Sequence, residues 1–353
     1  MTGSREICAG DVRFGLFLSG WLDPAEANPP RRLDAHLSRA AAAETAGFSS
    51  VWVGQHFLGA PWPVLDTTAF LGRLCAATKS VELGGIYLLP LAHPVALAEA
   101  LVSLDHLSGG RLIVGAALGW APREFAAFGV PMSERVSRFR EGLRIMEQLW
   151  RSDEPFDFVG RHFELHDVRM LARPVRQQGI PVWVGASSEK AVRRAARLGD
   201  TWLASSHTPQ EVLADLSSVF QDSLLRAGKD VSRRPLFRHC LVAETDELAV
   251  QRFVDAFDSY YRVLGEWGIF SQVVGEGHAQ GAGPRLPAGR AIVGSPSAVA
   301  RQIDEYRALG FDDFVFQVGL PGTAEAWVQE SISLLGSEVL PMVQTHAVKE
   351  ATR

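Results

Sequence analysis

The chain has 353 residues, 47% of them apolar and 21% charged, with a net charge of −5. This is the composition of a globular protein with a large core, and it excludes collagen-like and disordered chains. A mildly acidic balance without a basic block leaves no electrostatic footprint for nucleic acid or an anionic membrane surface, and no apolar run reaches the roughly 18 residues of a membrane span.

Short apolar runs alternate with longer amphipathic segments. Arg13–Leu18 reads as a strand, and Leu33–Ala46 as a helix closed by Gly47. Ser50–Gln55 is a second strand, Thr67–Thr78 a helix, and Val81–Leu89 a third strand interrupted by Gly84-Gly85. Pro94–Leu107 opens with proline and ends before Gly109-Gly110, the usual asymmetry of a helix. Arg111–Leu118 is a strand and Ser133–Trp150 a long helix. Asp153–Arg173 reads as an inserted hairpin. Strand Pro181–Ala186 precedes helix Glu189–Leu198, and strand Thr201–Ala204 precedes helix Pro209–Ala227. Strand Leu236–Ala243 precedes helix Asp246–Leu264. Glu266–Arg290 is glycine- and proline-rich and reads as an inserted loop. Helix Ser297–Leu309, strand Asp313–Val318 and helix Ala324–Val343 complete the chain. Eight strands, several apolar on both faces and each followed by a helix, predict an α/β fold of the (β/α)8 TIM-barrel type, a single domain over residues 1–353.

In such a barrel, function sits at the C-terminal strand ends. Those ends are rich in glycine, serine and aromatic residues. The ten histidines include no His-x-His pair, and His162 and His166 fall in the hairpin, so no metal site is expected. Cys8, Cys75 and Cys240 lie far apart without a CxxC pair, which fits a reducing cytosol. The opening MTGSREICAGD lacks the apolar stretch of a secretory leader, so a cytoplasmic location is expected. His56, just past strand two, is either a proton shuttle and cofactor contact or a packed, hydrogen-bonded histidine. Gly185-Ala186-Ser187-Ser188 joins a strand to a helix, where small residues and free N–H groups can meet an anion or a serine can simply cap. Gly84-Gly85 marks a bulge or a packing glycine under a bulky neighbour. Arg135 and Arg138 open the long fourth helix, as phosphate ligands or as a solvated face.

The pattern LP-x-x-HPV, LD-x-LSGGRL, G-x-x-x-GW and EF-x-x-FGV-x-x-x-ER, over Leu89–Arg135, resembles the bacterial luciferase-like monooxygenase family. Segments Ala43–Phe57, Pro181–Leu203 and Val293–Phe316 resemble it too, so the similarity runs from about Arg13 to Met342. The resemblance implies a TIM barrel that binds reduced FMN or coenzyme F420 in its C-terminal mouth. It places a catalytic histidine near the isoalloxazine ring at His56. It also places a strand-three bulge with a non-proline cis peptide at Gly85-Ile86, and a phosphate site at Gly185, Ala186, Ser187 and Ser188 with Arg135. The family's usual acidic residue before the histidine is Gln55 here, which removes the expected acid–histidine pair.

The implied activity is a two-component reduced-FMN monooxygenase fed by a separate flavin reductase. The alternatives are a coenzyme F420-dependent hydride-transfer oxidoreductase and, in another class, a flavin-binding barrel without turnover. Trp21, Phe57, Trp62, Trp120 and the Glu266–Arg290 loop would line the substrate pocket, which suits an apolar or aromatic small molecule. A homodimer through the second and third helices is expected by the same resemblance.

Overall fold

The structure is a computed structural model and describes residues 12–22, 29–231, 233–267 and 289–351. Its strands, in chain order, are β1 (Arg13–Leu18), β2 (Ser50–Gly54), β3 (Glu82–Leu88), β4 (Leu112–Ala117), β5 (Phe156–Val159), β6 (Glu164–Val168), β7 (Val182–Ala186), β8 (Thr201–Ala204), β9 (Pro235–Val242), β10 (Ala291–Gly294) and β11 (Asp313–Val318). The order β9-β11-β1-β2-β3-β4-β7-β8 is parallel throughout, and a β8–β9 pairing at Ala204↔Leu236 closes it into an eight-stranded barrel. Helices α1 (Pro29–Thr45), α2 (Thr67–Ala77) and α3 (Pro94–Ser108) follow the first three strands. A short α4 (Pro122–Ala127) and the long α5 (Arg135–Arg151) follow β4. Then come α6 (Glu189–Leu198), α7 (Gln210–Ala227) and α8 (Asp246–Glu266), and after them helices Pro296–Ala308, Glu325–Leu334 and Leu340–Ala351, the last two joined by a π-helical turn at Leu335–Val339.

The barrel interior is one apolar cluster drawing a residue from every barrel strand: Phe17, Trp52, Ile86, Ile113, Trp183, Leu203, Phe237 and Val315. A second, larger cluster fills the shell between strands and helices. This two-layer burial is why several strands are apolar on both faces. The lower end of the barrel is tied by charge. Arg233 donates to Glu82 at 2.7 Å and to Asp313 at 2.8 Å, and its guanidinium lies 4.7 Å over the Trp183 ring.

The expected hairpin is present as the antiparallel pair β5–β6, set between α5 and β7. The Glu266–Arg290 loop lies almost wholly outside the described residues. Three expectations are corrected. The sequence reading omitted β10, whose four residues pair with His239–Val242 of β9. And β3 carries no bulge: Ser50–Gly54 pairs in unbroken register with Glu82–Ile86, and Leu83–Leu88 with Leu112–Ala117. Nor is the Gly85–Ile86 bond cis; among the described residues the cis peptide is Ala60–Pro61. The glycines serve packing instead. A Cβ on Gly84 would lie 2.1 Å from the Trp52 ring, and one on Gly85 would lie 2.5 Å from Tyr87. Trp52 fits inside the barrel because its cross-strand neighbour, Gly84, has no side chain.

Candidate active site

His56 stands two residues beyond β2, in the C-terminal mouth. Its Nδ1 is 3.0 Å from Oε1 of Glu124, which is fully buried on α4 and also accepts the Phe57 backbone N–H at 2.8 Å. A carboxylate oxygen accepts, so in the tautomer that makes this contact a hydrogen bond the proton sits on Nδ1 and Nε2 is the nitrogen outside the pair. No described residue bonds that Nε2. Gln55 does not take part: its Oε1 accepts the Leu88 N–H at 2.9 Å and ties the end of β2 to the end of β3. The carboxylate–histidine pair that Gln55 had seemed to remove is thus supplied from α4.

Three indoles surround the His56 ring: Trp21 at 5.7 Å, Trp120 at 5.8 Å and Trp267 at 5.7 Å between centroids. Trp62 stacks on Trp21 at 4.9 Å, and Tyr260 of α8 lies 5.4 Å from Trp21. Trp267, just past α8, donates its indole N–H to the Ala60 carbonyl at 3.0 Å, and Arg123 lies 3.6 Å over its ring. Trp21 and Trp120 therefore flank His56, Trp62 stacks behind Trp21, and Trp267, at the start of the Glu266–Arg290 segment, joins them. Phe57 does not; it packs 4.5 Å from Phe128 and against Leu88, Leu91 and Phe125. Ile86 is the β3 member of the barrel-interior cluster and stays partly exposed beneath the mouth, while Gly85 faces the other way, toward Leu71 and Tyr87.

The turn Gly185–Ser188 leaves β7 and opens α6. Trp202 donates to the Ala186 carbonyl at 2.9 Å and holds the strand end. Ser187 and Ser188 are exposed, and Ser188 is the N-cap residue without a side-chain cap bond, so its hydroxyl and the first-turn N–H groups are open. Arg135 begins α5 and lies, with Arg140 and Arg197, within electrostatic range of Arg194 on α6. Burial first, and then these three like charges, lower the Arg194 pKa. Its Nε has no partner, which makes this an unneutralised cationic patch beside the α6 helix. Arg194 was missed in the sequence because four spaced arginines on two helices read as solvated faces.

A second polar group lies on the other rim. The Tyr261 hydroxyl is 2.9 Å from His207 Nδ1 and 3.0 Å from His239 Nε2. His239 is paired in register with Gln317 of β11. Burial holds both histidines neutral, lowering His207 to about 3 and His239 well below the usual value, with Arg238 adding to both. His56 is among the charges acting on His207, which places the two imidazoles on one mouth. A cleft of about 400 Å³ backs onto Trp21 and Trp62, between α1 and the helix Glu325–Leu334. Among the described residues no group of three or more His, Cys, Asp or Glu side chains converges as a metal site. No described helix is long and apolar enough to cross a membrane.

An eight-stranded barrel whose C-terminal mouth holds a carboxylate-paired histidine in an indole cage, beside an open helix N-terminus, is the architecture of a cofactor-dependent barrel enzyme. The family model for luciferase-like monooxygenases matches residues 12–313, and the chain belongs to that family. It is 31% identical over 275 residues to 4-hydroxyprotoasukamycin monooxygenase of Streptomyces nodosus subsp. asukaensis, covering 74% of each chain. It is 31% identical over 341 residues to an F420-dependent glucose-6-phosphate dehydrogenase of Intrasporangium calvum, covering 91% of this chain and 97% of the relative. The crystal structure of monooxygenase RslO1 from Streptomyces bottropensis superposes with a TM-score of 0.80 at 27% identity, over 93% of this chain and 99% of that one. The chain is therefore an enzyme of a family that includes monooxygenases and F420-dependent oxidoreductases.

Proposed function

We propose that this chain is the oxygenase component of a two-component monooxygenase, using reduced FMN to oxidise a small, apolar or aromatic molecule. The observation that carries the reading is His56, held by Glu124 and walled by Trp21, Trp120 and Trp267. Indole walls exclude water from the reacting centre, which oxygen chemistry on a reduced flavin requires. The α6 N-terminus, the Ser188 hydroxyl and Arg135 would hold the cofactor phosphate, with Arg194 adding positive charge. When bound, reduced FMN supplies the electrons and the reaction with oxygen. His56 supplies a proton acceptor at Nε2, and Glu124 holds the ring so that Nε2 is the nitrogen outside the pair. A separate flavin reductase delivers the reduced cofactor, and the enzyme acts in the cytoplasm as a homodimer through α2 and α3.

A second reading is hydride transfer with coenzyme F420. The Intrasporangium relative and the His56–Glu124 pair favour it, since an acid–histidine pair suits proton transfer coupled to hydride transfer. Anaerobic binding titrations with reduced FMN and reduced coenzyme F420 separate the two. Retention of reduced FMN in preference to coenzyme F420 supports the monooxygenase, and the opposite order replaces it with the dehydrogenase.

A further inference from the structure

The cleft between α1 and the helix Glu325–Leu334 has no part in the chemistry so far. Its volume of about 400 Å³ is in the size range of small-molecule sites. Its walls are tied from three sides. His36 of α1 donates its Nε2–H to the Trp21 carbonyl at 2.9 Å, a carbonyl oxygen being an acceptor only. Arg39, a turn further along α1, joins the facing helix by its Nε, which donates to Glu325 Oε2 at 2.9 Å. The turn after β11 is closed on itself: the Leu320 N–H meets Thr323 Oγ1 at 3.1 Å, and the Thr323 N–H meets the Leu320 carbonyl at 2.9 Å. Walls held this way are in place before a ligand arrives, so little ordering cost falls on binding. The lining is divided. Trp21, Trp62, Leu320, Pro321 and Ala35 supply apolar surface. The charged groups are Arg31, Arg39 and Glu325, two cations against one anion. Arg39 and Glu325 satisfy each other, which leaves Arg31. It is exposed in the first turn of α1, and among the described residues no carboxylate pairs with it. His36 adds no charge at neutral pH, because burial, with Arg39 adding to it, lowers its pKa to about 4. Two buried atoms of the wall are without a partner, the Trp21 indole N–H and His36 Nδ1, a donor and a neutral acceptor. Neither is charged, so the unanswered charge among the described lining residues is that of Arg31.

We infer that this cleft is a second small-molecule site, for an organic monocarboxylate with a compact apolar body: the carboxylate meets the Arg31 guanidinium at the rim, and the body lies against Trp62, Leu320 and Pro321. A carboxylate matches the guanidinium fork and offsets the one net cation. A dianion would bring its second charge toward Glu325, and a neutral molecule would leave Arg31 to water. The site is distinct from the mouth, though the two share a wall. Trp21 lines the cleft, and its ring also lies 5.7 Å from His56 and 4.9 Å from Trp62. The assignment stands apart from the proposed function, since nothing in it uses a flavin or His56.

Calorimetric titration of the full chain without cofactor tests it, with 3-phenylpropionate and 3-phenylpropionamide as probes that differ in charge and little in shape. The acid should bind one to one and about fivefold more tightly than the amide, the upper end of what an exposed ion pair contributes. Arg31→Gln should bring the acid to the level of the amide. Ala35→Phe, which fills the cleft from α1, should abolish binding of both. Trp120→Ala alters the mouth and not the cleft, and should leave the affinity for the acid in place. Absence of binding by the acid, an undiminished preference in Arg31→Gln, or loss of binding in Trp120→Ala would each overturn the site, the last by placing the probe beside His56. Arg31 is exposed, so its variant keeps the test decisive even where Ala35→Phe fails to fold. Failure of reduced FMN to bind would sink the proposed function and leave this result standing.

Discussion

Glu124 and His56 make one unit, and their substitutions should behave as one. His56→Ala removes the proton acceptor and should lower turnover by about 10²-fold or more, with little change in stability. Glu124→Gln keeps an oxygen for the Phe57 N–H but lets the imidazole choose either tautomer, so turnover should drop by at least about tenfold. The double variant should be hardly slower than His56→Ala alone; multiplied losses would show that the two act separately. The phosphate turn gives a second residue-level expectation. The Ser188 hydroxyl caps nothing, so Ser188→Ala should leave the unfolding midpoint in place while weakening reduced-FMN binding about tenfold. An equal loss for riboflavin would move the phosphate elsewhere. His56 was legible in the sequence because a residue just past a barrel strand must face the mouth. Glu124 was not: it lies 68 positions away on a six-residue helix, too short to show a periodicity. His207 and His239 were equally hidden, because the Tyr261 that joins them comes from another layer of the fold.

At the scale of elements, strand and helix bounds followed from apolar periodicity and from glycine and proline punctuation, and β8, β11 and α6 begin and end where the pattern says. The failures share a cause. Whether paired glycines mean a bulge or a tight fit depends on what lies across the strand, and the neighbour that decides it, Trp52, is distant in the chain. The strand β10 is four residues next to a glycine-rich stretch and is defined by its partner β9 more than by its own composition. The packing account of β3 is testable. Gly84→Ala puts a methyl group into the Trp52 ring and should cost stability at or beyond the upper end of the roughly 1–3 kcal/mol of an overpacked core. An unchanged denaturation midpoint would mean that the barrel interior yields more easily than its closed register implies.

At the scale of the whole molecule, three histidines among the described residues are kept neutral by folding: His36 at about 4, His207 at about 3, and His239 well below its usual value, each chiefly through burial. In the unfolded chain they titrate near 6.5. The unfolded state therefore binds more protons below that pH, and stability, complete above it, is lost as pH falls toward the folded values. His36 alone accounts for about 3 kcal/mol between neutral pH and pH 4. Urea midpoints should drop steeply from pH 6.5 to 4.5, and His36→Gln should flatten that slope by about one proton. A flat profile over this range would show that these imidazoles are charged in the folded protein.

Four of the nine tryptophans, Trp21, Trp62, Trp120 and Trp267, crowd one end of the barrel, with Trp21 and Trp62 stacked at 4.9 Å and Trp120 and Trp267 at 6.2 Å. Indoles this close exchange excitation, so their near-ultraviolet circular dichroism belongs to the set and not to single rings. Any planar molecule that enters must slide between them or push one aside, and in either case it alters the coupling. The enzyme thus carries its own chromophoric gauge of occupancy, one that reports on substrate and cofactor alike before any turnover begins.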